Sequence, residues 1–442
     1  MNNIFIEPAR HSWRELTKRP QDGILNSEKL VSEILTDVKQ HGDAALKKYS
    51  LKFDGFTPEN FLVTNEEIDS AEDFIPGDLK EAILLAQKNI KKFHTAQVEK
   101  KVKKIETSEG VTCWRKSVPI QNAGLYVPGG TAPLFSTLLM LAIPAQLAGC
   151  KNIIVCTPPC ANGKINAAIL FVAKILGLKN LYKTGGAQAI AAMAYGTESI
   201  QKTDKIFGPG NNFVTLAKKL VSFENTAIDM LAGPSELVVY ADDTAIPAFV
   251  ASDLLSQAEH GIDSQVVLVA ENIGIIEKVA IELSNQLKSL SRIKIINQSL
   301  LHSRFVLLND IQTAFDFINF YAPEHLIIAS KNAKKLSSFV INAGSVFLGN
   351  YSSESAGDYA SGPNHSLPTS GTAKTYSGVS VDSFVKKITF QKISKKGIRN
   401  IGPAVETMAA AEGLDAHKNA VSIRLKKAAQ EEGLKKTEDE NI

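Results

Sequence analysis

The sequence predicts an α/β protein built on parallel sheets covered by helices, and three features carry that reading. From about residue 133, apolar strand-like runs alternate with helix-like segments almost without interruption. A turn cluster, Asp229 to Ser235 (DMLAGPS), splits the alternation into two series, so two wound sheets are expected. A stretch rich in Gly, Ser and Pro, Tyr351 to Ser370, then follows the last strand with Glu354, Asp358 and His365 in it. Such residues at a strand's carboxyl end fall where open α/β sheets hold ligands, although a long surface loop would look the same.

The first series opens with the predicted apolar helix Pro133 to Ala148 and strand Asn152 to Cys156. Helix Ile165 to Leu176, strand Asn180 to Thr184 and helix Ala187 to Tyr195 follow, then the short strand Lys205 to Phe207 and helix Asn212 to Ser222. The second series begins with predicted strand Glu236 to Tyr240, helix Ile246 to His260, strand Ser264 to Ala270 and helix Ile273 to Leu287. It continues with strand Arg304 to Asn309, helix Ile311 to Tyr321, strand His325 to Ala329, helix Asn332 to Asn342 and strand Ser345 to Leu348. Consecutive strands can run the same way only through a crossover, which is why helices between apolar strands imply parallel pairing. After about residue 380 the rhythm stops, and Gly402 to Leu425 reads as helices followed by a charged tail, EEGLKKTEDENI, expected to lack fixed structure. An appendage that short cannot make its own core, so it must pack on the main body or on another subunit, and a homodimer is expected.

A length of 442 residues is enough for two to four domains with full cores. Charged residues are 21% of the chain and the formal net charge is only +3, which argues against disorder and against a nucleic-acid or membrane partner. A small-molecule substrate is expected. The segment MNNIFIEPARHSW has no signal-peptide core and no later run is apolar enough to cross a bilayer, so the expected location is cytoplasmic. Cys113, Cys150, Cys156 and Cys160 are too few and too uneven for a disulfide framework. Cys156 and Cys160 have a zinc-like spacing, but Cys156 ends an apolar run and no second pair exists, so burial is the better reading. The basic run Lys91 to Lys104 reads as a solvated helix face.

Several constellations can carry chemistry. Gln257 and His260, at i and i+3 near a predicted helix end, can point at one spot. They read either as two metal ligands or as a histidine satisfying the helix terminus beside an exposed amide. Glu324 and His325 stand together at the start of a strand, and His417 lies near Glu412 and Asp415. Imidazole takes or gives a proton near neutral pH and a carboxylate can deprotonate water, a combination that suits an oxidation followed by a hydration. Gly185-Gly186 and the GPGNN turn from Gly208 stand at strand–turn–helix junctions able to face phosphates, and Tyr126 opens a third Gly/Pro turn. None spells the full dinucleotide fingerprint, so on spacing alone ordinary tight turns are the favoured reading.

Side by side, these segments resemble the histidinol dehydrogenase family over nearly the full chain. The matching motifs are GLYVPGGTAPLFST from Gly124, GGAQAIAAMAYGTES from Gly185, DKIFGPGNNFV from Asp204, DLLSQAEHG from Asp253, YAPEHL from Tyr321, ESAGDYASGPNHSLPT from Glu354 and AAAEGLDAHKNAV from Ala409. The resemblance implies zinc ligands at Gln257, His260, Asp358 and His417, one ion per subunit. It implies a substrate pocket that adds Ser235, His325, His365 and Glu412, an acid/base pair in Glu324 and His325, and NAD contacts at Tyr126, Gln188 and Asn211. The implied reaction is the oxidation of L-histidinol to L-histidine through histidinal with two NAD+. A zinc-dependent hydrolase and a non-catalytic nucleotide-binding module are the rival readings.

The fold the resemblance implies is two incomplete Rossmann-like wound parallel-sheet domains, one inserted in the other, with small, mainly helical terminal pieces in an intertwined homodimer that shares its sites. Residues 24–126 and 235–379 would form the zinc and substrate domain, and 127–234 the NAD domain. Residues 1–23 and 380–405 would form an accessory piece, 406–430 a helical dimerisation piece, and 431–442 the tail. Leu231 departs from the family's usual proline, and Asn212 is a smaller variation.

Overall fold

The apolar runs of the second series become central strands because each loses water on both faces. Glu236–Ala241, Gln265–Ala270 and His325–Ala329 are buried along their whole length. A computed structural model, which describes residues 3–20, 24–99, 101–129, 133–230 and 233–439, places them in a six-stranded sheet with parallel pairing throughout. The order is Ile4–Ile6, Arg304–Leu307, Gln265–Ala270, Glu236–Ala241, His325–Ala329, Ser345–Leu348. Ile4–Ile6, from the segment expected in an accessory piece, is an edge strand of this sheet.

A second parallel sheet has the order Asn180–Lys183, Asn152–Thr157, Asn122–Tyr126, Lys205–Phe207, Ala227–Ile228. Its central strand, Asn122–Tyr126, was not among the predicted elements, and the resemblance grouped it with the other domain. The winding direction changes at this strand, since the next strand in sequence lies on one side and Lys205–Phe207 on the other. A crevice at the carboxyl edge of such a switch point is the expected ligand position. Helix Ile24–Asp54 covers part of this sheet: Val31, Ile34, Val38 and Leu46 share a core with Ile190, Met193, Val214 and Ala217.

Both sheets lie in one compact unit, Met1–Val98 with Ile120–Phe384. Glu99–Pro119 with Val385–Ile442 form the other. That second unit holds a three-stranded antiparallel sheet, Val385–Ile393, Val111–Pro119, Lys104–Ser108, followed by helices Lys395–Ala411 and Asp415–Asp439. The last helix runs into the tail where no fixed structure was expected, while residues 440–442 lie outside the described ones. Predicted helix Asn332 to Asn342 shortens to Ala333–Leu336 with a 3-10 turn, Ser337–Phe339. All four cysteines are free, and burial pushes the Cys156 thiol far up. Among the described residues no helix is long and apolar enough to cross a membrane.

Candidate active site

His325 begins the strand His325–Ala329 and Glu324 stands just before it, after a turn in which Ala322 takes a left-handed conformation (φ 55°) to end the preceding helix. Both are buried. Alternation along a strand need not bring neighbours together, yet His325 Nδ1 lies 3.6 Å from Glu324 Oε2. Glu324 precedes the regular strand, and its Oε2 accepts the Glu236 N–H at 2.9 Å, which turns the carboxylate toward the ring. His325 Nδ1 is also 3.9 Å from Glu354 Oε1, and Nε2 is 3.5 Å from Asp358 Oδ1.

One imidazole therefore sits among three carboxylates. Burial disfavours its cation, but the charges of Glu324 and Glu354 and the close approach of Asp358 outweigh that and hold its pKa well above the usual value. Burial, with the charges of Asp358 and Glu324, pushes Glu354 up to about 8 against the pull of His325. Burial would raise Asp358 as well, yet the nearby His325 holds it below its ordinary value.

This cluster gathers at the amino ends of strands Glu236–Ala241 and His325–Ala329, not at the carboxyl edge where the 351–370 stretch was expected to act. The strand before that stretch, Ser345–Leu348, is short. The chain then turns back through helix Glu354–Tyr359, whose Gly357 leaves room only for the Phe347 ring. Glu354, in a stretch that could have been a surface loop, is buried at 1% exposure, because its carboxylate is met by Gln257 and His325.

Gln257 is fully buried near the end of helix Pro247–Ala258, and His260 is exposed just beyond it. Gln257 Oε1 faces the Glu354 carboxylate, acceptor against acceptor. Turned over, the amide nitrogen donates to the carboxylate instead, reaching Glu354 Oε2 at 2.9 Å. His260, Glu354 and Asp358 each offer a donor atom, all within 4.8 Å of one another. Imidazole and carboxylate donors around one point fit a zinc ion. Half-buried His365 adds a ring nitrogen, Nε2, that is closed off from water without a hydrogen-bond partner, and burial lowers its pKa. Ser235 is half-buried at the start of strand Glu236–Ala241. Glu412 and His417 lie in the second unit and are exposed. Leu231 lies outside the described residues.

Two more buried acids beside this cluster were not singled out from sequence. Glu236 pairs with Arg19 Nε at 2.7 Å, and the guanidinium lies over the Tyr321 ring at 3.8 Å. That network fixes the strand whose backbone N–H holds Glu324. Asp253, one turn before Gln257, is pushed by burial up to about 7 from 3.8. The folded chain then keeps this proton while the unfolded chain loses it near about pH 3.9, so stability falls as pH rises from about 4 to about 7. Asp253→Asn removes that loss. Thermal melts should show the variant stabilised at pH 8, by on the order of a few kcal/mol, with little gain at pH 4; equal effects at both pH values would mean that the burial cost is not electrostatic.

The second constellation is a cavity of about 670 Å³ at the carboxyl edge of the five-stranded sheet, and Tyr126, Gln188 and Asn211 all line it. Tyr126 ends the central strand and its hydroxyl accepts the Gly186 N–H at 3.1 Å, while burial pushes that hydroxyl up to about 12. Gln188 is buried in the first turn of helix Gly186–Tyr195. Asn211 caps helix Asn212–Ser222 through the Val214 N–H at 3.1 Å. The turn between them is clamped: Lys218 Nζ donates to Gly208 O at 2.8 Å, Asp229 Oδ2 accepts the Gly208 N–H at 2.8 Å, and the two side chains pair at 2.5 Å. Gly208 (φ 124°) is required there, since a Cβ would strike Tyr126 O. Both flagged glycine junctions are thus walls of one pocket.

Residues 17–425 match the family model described as histidinol dehydrogenase. The chain belongs to the histidinol dehydrogenase family. Histidinol dehydrogenase of Bacteroides fragilis is 55% identical over 421 residues, covering 95% of this chain and 97% of that protein. The one from Vibrio parahaemolyticus is 48% identical, covering 95% and 98%. The crystal structure of histidinol dehydrogenase from Elizabethkingia anophelis superposes with a TM-score of 0.93 at 54% identity, covering 96% of this chain and 98% of that one. As a member of this family the chain is an NAD-dependent oxidoreductase of histidine biosynthesis that works with zinc. The hydrolase reading receives no support from these relatives.

Proposed function

We propose that this chain oxidises L-histidinol to L-histidine in two hydride removals, with the buried Glu324–His325 pair handling the protons. The observation that carries the assignment of roles is the pair's position 3.5 to 3.9 Å from acids of the same cluster that offers metal donors. Gln257, His260 and Asp358 would hold zinc with His417 of the partner subunit. When bound, zinc supplies positive charge that positions the substrate nitrogens and offsets the carboxylates around His325, and NAD+ at the Tyr126, Gln188 and Asn211 pocket accepts the hydrides.

His325 takes the alcohol proton in the first oxidation, and Glu324 deprotonates the water that adds to the aldehyde. Ser235, His365 and Glu412 line the substrate, the last from the neighbouring chain of a cytoplasmic homodimer. Placing Glu412 and His417 in the neighbour's site is supported by their exposure in a unit of their own. Purified protein given histidinol, zinc and NAD+ should yield NADH and histidine at a ratio of two to one, with loss on chelation and recovery on adding zinc back. Absence of NADH would refute the assignment.

A further inference from the structure

Among the described residues that line the cavity, Asp54 is the only charged one. It closes helix Ile24–Asp54, outside the five-stranded sheet, and leans into the pocket beside Tyr126, whose hydroxyl feels its charge. Its Oδ2 is closed off from water and has no hydrogen-bond partner. A buried carboxylate oxygen without a donor is an acceptor held ready for one. Burial pushes the group up to about 6, so it is ionised at neutral pH at a cost to the empty protein.

Wound dinucleotide folds place an acid where the adenosine ribose hydroxyls arrive, usually beyond the second strand of the unit. Here that strand is Asn152–Thr157, and it continues into Pro158, Pro159 and Cys160, with no acid among them. The expected acceptor is missing from the sheet and present on the helix across the pocket. No lysine or arginine is among the described lining residues to receive a 2′-phosphate.

We propose that Asp54 accepts ribose hydroxyls of the dinucleotide and thereby selects NAD+ over NADP+, a reading that rests on the cavity being the dinucleotide site. A carboxylate rewards two hydroxyl donors and repels a phosphate dianion at the same position. The stored cost of the unpaired charge is released only when donors arrive.

The test is calorimetric binding of NAD+ and of NADP+ to the full-length protein, for wild type, Asp54→Asn and Gln188→Ala. Asp54→Asn should weaken NAD+ binding about 10- to 100-fold and lower the preference for NAD+ over NADP+ at least about tenfold. The same variant without nucleotide should melt higher than wild type at pH 8, since the unpaired charge is gone. A lower melting temperature would mark the carboxylate as structural and overturn the proposal. So would an unchanged NAD+/NADP+ ratio, and in that case Gln188→Ala separates the two levels: if it weakens NAD+ binding the cavity stands without Asp54, and if it does not the cavity reading falls as well.

Discussion

Replacing Glu324 by glutamine should cut oxidation of histidinal about 100- to 10,000-fold, the range of a lost general base, while oxidation of histidinol to the aldehyde falls far less. The asymmetry follows from what each half-reaction needs. The alcohol step requires an acceptor for one proton, and His325 remains in place to provide it. The aldehyde step requires water to be deprotonated as it adds, and an amide cannot do this. Folding should survive, because Glu324 accepts the Glu236 N–H through one oxygen and a glutamine oxygen can accept it too. His325 loses one of the acids that hold its pKa up, so the variant's pH profile should also move toward lower pH. Single-turnover rates measured separately with histidinol and histidinal check both points. Equal loss in the two half-reactions would assign Glu324 to binding or structure.

The parts of this molecule that could be read from sequence are those in which one local signal has one outcome. Runs such as Glu236–Ala241 and Gln265–Ala270 are apolar on both faces and can only be central parallel strands. Strand Asn122–Tyr126 was missed because NAGLY is short and carries Asn and Gly, yet tertiary pairing on both sides makes it the centre of its sheet. The antiparallel strands Val111–Pro119 and Val385–Ile393 mix polar, charged and apolar residues, the first half-buried and the second largely exposed, so no apolar run announced them. At the site, the histidines and their neighbouring acids were legible as residue types, but Glu354 and Asp54 were not assigned. A carboxylate shows its role only when the fold removes water from it, and both are brought in by segments distant in sequence from their partners, Glu354 to His325 and Asp54 to the Tyr126 pocket.

Two inactive variants should restore activity when they share a dimer. Glu412 and His417 lie on the surface of the unit formed by Glu99–Pro119 and Val385–Ile442, whereas Glu324, His325, His260 and Asp358 lie in the other unit. With His417 of one chain completing the neighbour's site, a chain carrying His417→Ala keeps a sound set of Glu324, His325 and His260 but offers its partner no ligand. A chain carrying Glu324→Ala has the opposite fault. A mixed dimer then holds one site with neither fault and one with both. Random pairing makes about half of all dimers mixed, each with one of its two sites whole, so activity should approach about a quarter of wild type from parents that have almost none. Co-expression with two different tags, followed by tandem purification, isolates the mixed species and should bring it to about half of wild type. Zinc content gives an independent reading: the His417→Ala homodimer should lose metal at both sites, while the mixed dimer keeps a tight site in one. Mixed dimers as inactive and as poor in zinc as the His417→Ala parent would place His417 in its own chain's site.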